Sequence, residues 1–166
     1  MKWRGLKPEI WVLMVLVVGV AGFFIWNKYF TYDPVKVYAE AEKRYIEAMT
    51  ADTYGGKTPQ ETLDLFVAAL KKEDVDLASK YFLLINDSSS SDYLTWNKYK
   101  LELQKAKDAG RIANMVNILS RAVPDLKNIF SESDYKFSVY DSTDKLEAYI
   151  NMELNKYSGV WKIESL

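Results

Sequence analysis

The chain has 166 residues, the length of one ordinary domain, with 49% hydrophobic residues, 27% charged residues and a net charge of −1. That balance excludes a disordered chain and a basic nucleic-acid binder, so no nucleic-acid partner is expected. There is no cysteine and no histidine, which removes disulfides, thiolate metal sites, thiol nucleophiles, imidazole ligands and the Ser-His-Asp triad.

The first element in chain order is the charge-free run from Ile10 to Trp26, IWVLMVLVVGVAGFFIW. A helix of that length rises about 25 Å. Tyr29 and Phe30 extend the apolar run past Asn27 and Lys28, toward the roughly 30 Å of a bilayer's hydrocarbon core. Trp11, Trp26 and Tyr29 mark its ends, as interfacial aromatic anchors do. Gly19 and Ala21 form a small-x-small pair, but Phe23 to Trp26 follow at once, so cleavage there would leave an apolar N-terminus. The expectation is an uncleaved transmembrane helix over residues 10–30. Lys2, Arg4 and Lys7 precede it, which places residues 1–9 in the cytoplasm and the rest outside. The chain then reads as a single-pass protein of the plasma (inner) membrane with the lipid bilayer as a partner. Envelope proteins or a second copy of the chain are the further partners of that layout.

Asp33-Pro34 reads as a helix cap followed by proline at the first helical position. Val35, Tyr38, Ala39, Tyr45, Ile46 and Met49 recur at helical spacing behind it. Residues 31–57 thus form a juxtamembrane helix and a hinge at Gly55-Gly56. Thr58-Pro59-Gln60-Glu61 is a capping box with proline in the first turn, and Leu63, Phe66, Val67 and Leu70 follow on one face. A second short helix is expected from Val75 to Leu83. Asn86 to Asp92 is a polar loop. Asp92 is expected to cap a helix with Tyr93, Trp96, Tyr99 and Leu103 that ends at Gly110, and Ile112 to Val123 forms the next, stopped by Pro124.

The period then changes from that of a helix to that of a strand. Tyr135, Phe137 and Val139 alternate with polar residues, as do Leu146, Ala148, Ile150, Met152 and Leu154, and then Trp161 and Ile163. Turns at Asp141–Lys145 and Lys156–Gly159 separate them. Residues 58–166 are therefore expected to form an α+β domain in which a C-terminal antiparallel sheet of three strands, or slightly more, packs its apolar face on the helices. Trp161 is placed on that helix-facing side with Ile163.

Two stretches, residues 58–82 (TPQETLDLFVAALKKEDVDLASKYF) and 158–166 (SGVWKIESL), resemble membrane-anchored domains of the nuclear transport factor two-like, cystatin-like superfamily, SnoaL-like domains included. The resemblance implies helices across a curved antiparallel sheet that can enclose a cavity. The superfamily's enzymes commonly place an Asp-His pair in that cavity. Without a histidine, no catalytic residues carry over.

The inventory offers little chemistry. Glu61 is explained by the capping box, Glu147 and Glu153 fall on polar strand positions, and the helices carry their acids on solvated faces. Glu132 and Asp134 lack the additional oxygens and the glycine of a calcium loop. No catalytic, cofactor or metal residue is expected. A pocket under the sheet would be lined by Phe137, Ile150, Met152, Trp161 and Ile163, and filled core is the favoured reading of those side chains. Tyr93, Trp96 and Tyr99, and on the outer sheet face Tyr140 and Tyr149, are the aromatic candidates for contact with a peptide or glycan, with core packing as the favoured reading of them. The function expected is a non-catalytic extracytoplasmic binding or scaffold domain, with a subunit of a cell-envelope assembly such as a secretion or pilus complex as the alternative and a carboxylate-dependent enzyme as the least favoured reading.

Overall fold

A computed structural model describes residues 8–30, 33–86, 94–125, 131–141 and 143–166. The chain divides into two compact units, Met1–Ala41 and Glu42–Leu166. The elements are α1 (Pro8–Phe30), α2 (Pro34–Ala51), α3 (Pro59–Lys71), α4 (Val75–Ser79), α5 (Asn97–Asp108) and α6 (Ile112–Leu119), then β1 (Val123–Pro124), β2 (Asp134–Tyr140), β3 (Leu146–Asn155) and β4 (Val160–Ser165).

In the first unit, the side chains described on α1 are exposed from Ile10 to Trp26, Trp11 and Trp26 among them. Tyr29 falls within α1, and its side chain lies outside the described residues, as do Lys2, Arg4 and Lys7. Among the described residues, no helix is long and apolar enough to cross a membrane. This corrects the transmembrane helix over residues 10–30, and with it the single-pass inner-membrane localisation. The uninterrupted apolar run of α1 stops at Trp26 before Asn27 and Lys28. It rises about 25 Å, short of the roughly 20 residues and 30 Å that a bilayer core requires. The cap at the start of α2 forms as its residues dictate: Asp33 Oδ1 accepts from Val35 N at 3.1 Å.

The second unit is a four-stranded antiparallel sheet in the order β1-β2-β3-β4, with helices over its apolar face. The expected sheet of three strands, or slightly more, has four, the added one being β1, which pairs Val123 with Ser138 and Pro124 with Phe137. Two residues are too few to display a period of two, and Pro124 sits at the sheet edge, where a missing N–H is tolerated. Cross-strand pairs Phe137–Ile150, Tyr135–Met152 and Met152–Ile163 set the register of the core face. Against it pack Leu63, Phe66 and Leu70 of α3, Leu103 of α5, and Ile112 and Leu119 of α6. Phe66 meets Phe82 edge-on at 5.3 Å, and Phe82 stacks on Tyr99 at 4.3 Å.

Several boundaries differ from the periodic reading. The Thr58 half of the capping box forms, with Thr58 Oγ1 accepting from Glu61 N at 3.1 Å, while Glu61 Oε2 accepts from Lys57 N, one residue before the cap, at 2.6 Å. The helix expected over Val75–Leu83 ends at Ser79. Beyond it the chain turns extended and runs along the outer edge of β4, where Ile163 N donates to the Tyr81 carbonyl at 2.8 Å and Leu83 N to the Ile163 carbonyl at 2.9 Å. An open strand edge is a stronger claim on this backbone than one more helical turn. Helix α5 begins at Asn97, with Thr95 Oγ1 accepting from Asn97 N at 3.1 Å. The Asp92 cap, Tyr93 and the serine loop lie outside the described residues. Helix α6 ends at Leu119, because Val123 and Pro124 are recruited to the sheet.

Gly55 and Gly56 seal the rest of the β4 edge. Trp161 N donates to the Gly56 carbonyl at 2.9 Å, and Thr62 Oγ1 donates to the Trp161 carbonyl at 3.0 Å while accepting from Gly56 N at 2.8 Å. Gly55 has φ +149°, and a Cβ there would collide with the Trp161 carbonyl oxygen. Gly55→Ala is therefore expected to cost more than about 1 kcal/mol, by backbone strain and loss of the edge contact. Urea unfolding followed by tryptophan fluorescence measures it.

Candidate functional site

Among the described residues of the Glu42–Leu166 unit, two of the places that bring ionisable groups against apolar surface bear on function. The first is built around Lys162. Strand alternation places its side chain on the face opposite Ile163. There it is sealed at 0% exposure against Asp52 at 1%. Nζ lies 2.9 Å from Asp52 Oδ1 and 2.7 Å from Oδ2. It also donates to the Tyr54 carbonyl at 2.8 Å and the Lys80 carbonyl at 2.6 Å. The ammonium's three donors are thereby satisfied. The Trp96 ring lies 5.5 Å away, in cation–π range. Trp96 is held by its own indole N–H, which donates to the Phe82 carbonyl at 3.0 Å.

Burial dominates the electrostatics of this pair. It lowers Lys162 from an ordinary 10.5 to about 8, against the opposing pull of the Asp52 charge. Burial likewise raises Asp52, more than Lys162 and the Tyr54 N–H lower it. Both groups are thus driven toward their neutral forms, the signature of an ion pair whose desolvation outweighs its attraction. Sequence alone assigns acids to solvated helix faces and Lys162 to a polar strand position. The assignment of Lys162 is corrected here, and Asp52, just past the end of α2 in the expected break, is buried with it. No local signal marks the pair, because its partners stand 110 residues apart.

The second place is a groove of about 420 Å³ between α5, α6 and the end of β4. Its floor is Phe82, Tyr99, Leu103, Ala106 and Met115, and its rim carries Lys98, Glu102 and Glu164. Burial raises the Tyr99 hydroxyl, and the charges of Glu102 and Glu164 add to the rise. Both carboxylates are exposed. A smaller cleft of about 130 Å³ adjoins the groove, sharing Met115 and Leu166 with it and lined further by Val139, Ala148 and Ile150.

The five side chains expected under the sheet come together on one face. Phe137, Ile150, Met152 and Ile163 are buried within the core, and Trp161 packs against it half-buried, edge-on to Tyr135 at 6.1 Å. Of these, Ile150 reaches the small cleft. Among the aromatic candidates, Tyr99 faces the groove and Trp96 turns to the Lys162 cluster, while Tyr140 and Tyr149 are exposed on the outer sheet face, Tyr149 under the Lys136 ammonium at 4.9 Å. Among the described residues, no three acidic side chains cluster closely enough to hold a metal ion.

No protein-family model, curated protein or solved structure matches this chain. These comparisons give no support to the resemblance to the nuclear transport factor two-like superfamily.

The ion pair makes two testable statements. Lys162→Met leaves a buried carboxylate without its partner and is expected to cost about 3–5 kcal/mol, whereas Lys162→Met combined with Asp52→Leu recovers most of that loss. A double-mutant cycle in urea measures both. The pH dependence follows from proton counting. Between pH 8 and 10.5 the unfolded chain keeps a proton on Lys162 that the folded protein has released. Wild-type stability relative to Lys162→Met accordingly rises with pH across that window. Asp52 acts oppositely above its ordinary 3.8, where the folded protein retains a proton that the unfolded chain has lost.

Proposed function

We propose that the Glu42–Leu166 unit is a binding module without catalytic activity and that the groove between α5, α6 and β4 is its ligand site. The observation that carries this reading is the division of labour between the two places just described. The ionisable pair with shifted titration is sealed from solvent, with all three ammonium donors matched, so it has no path to a substrate. The open groove has the volume and apolar floor of a small-molecule site. The acids at its rim are exposed to water, which disfavours the desolvated carboxylate that acid–base catalysis needs in a protein without histidine.

The neutral fluorophore N-phenyl-1-naphthylamine tests this. It is expected to bind the full chain with a saturable component that Met115→Trp and Glu102→Trp each remove by filling the groove. Urea unfolding verifies that both variants remain folded. Binding that is unchanged in both folded variants would place the fluorophore elsewhere and remove the groove as the ligand site.

A further inference from the structure

The groove and the adjoining cleft differ in chemistry in a way that constrains what fits them. The inner cleft is bounded by apolar side chains, among them Val139, Ala148 and Ile150, and meets the groove at Met115 and Leu166. The mouth of the groove carries two carboxylates, Glu102 and Glu164, against one ammonium, Lys98. Glu164 also borders a hollow of about 250 Å³ on the sheet that contains Asp134 and Glu153, opposed by Lys136. Asp134 and Glu153 are cross-strand partners. The surface beside the mouth is therefore acidic on balance. Glu153 is raised by burial first, and then by the Glu164 and Asp134 charges, as expected where carboxylates crowd one another.

Resting on the reading of the groove as the ligand site, we propose that its ligand is a cationic amphiphile, with its apolar chain directed past Met115 toward the inner cleft and its positive head group at Glu102 and Glu164. An apolar chain satisfies a cleft without polar partners. A cationic head finds two carboxylates that remain hydrated at the rim, so it gains attraction without the cost of burying a charge. An anionic head would meet the same carboxylates with only Lys98 in its favour. Selectivity then comes from repulsion as much as from attraction.

Displacement of bound N-phenyl-1-naphthylamine from the full chain tests the inference, with dodecyltrimethylammonium and dodecanoate compared below micelle-forming concentrations. Far-UV circular dichroism verifies the fold. The cationic competitor is expected to displace the probe at about 3- to 10-fold lower concentration than the anionic one. Glu102→Gln with Glu164→Gln is expected to bring the two competitors within about twofold of each other. Equal displacement by both in wild type overturns the charge selectivity, a preference that survives the double variant overturns its assignment to Glu102 and Glu164, and either leaves the binding-module reading intact. A fluorophore signal that Met115→Trp fails to reduce overturns both.

Discussion

Lys162 is the point at which otherwise separate stretches of the unit meet. Its ammonium draws on Asp52 at the end of α2, the Tyr54 carbonyl just beyond it, and the Lys80 carbonyl after α4, all from the last strand. A buried charge has no cheaper resting place than one in which every donor is matched, so each of these segments is constrained to stay where it is. The edge of β4 depends on the same arrangement. The chain at residues 55–56 and 81–83 supplies the backbone partners of Trp161 and Ile163, and Lys162 holds both flanking stretches from the residue in between. What would otherwise be an exposed strand edge is closed by irregular backbone.

The arrangement trades stability for specificity of position. Desolvation pushes both members of the pair toward neutrality, so the pair itself adds little to the folding free energy and replacement of one partner alone is costly. Apolar packing supplies the stability instead. Phe66, Phe137, Ile150, Met152 and Ile163 are almost wholly buried and meet across α3 and three strands. The ion pair selects which way the 52–56 stretch lies against that core.

The groove follows from the same geometry. Phe82 is drawn against Ile163 by the extended stretch after α4, and there it stacks on Tyr99 of α5. That places α5 beside the end of β4, where Glu164 and Leu166 meet Glu102 and Met115 across an unfilled space. The ion pair is sealed from solvent, whereas this space is an open hollow.

Local patterns carry a good deal of this fold. The Asp33 and Thr58 caps, the apolar face of α3 and the period-two alternation of Phe137, Ile150, Met152 and Ile163 are written in neighbouring residues, and short-range sterics and hydrogen bonding suffice to realise them. The α+β class and the core face of the sheet follow from them. Other features depend on partners far along the chain. Val123-Pro124 becomes a strand because β2 offers it an edge, and residues 81–83 leave the helix for β4. Lys162 is the plainest case. Its alternation with Trp161 and Ile163 is that of a solvent-facing residue, and burial becomes tolerable because Asp52, 110 positions earlier, is folded against it. Alternation specifies which face a side chain takes, and tertiary packing decides whether that face meets water.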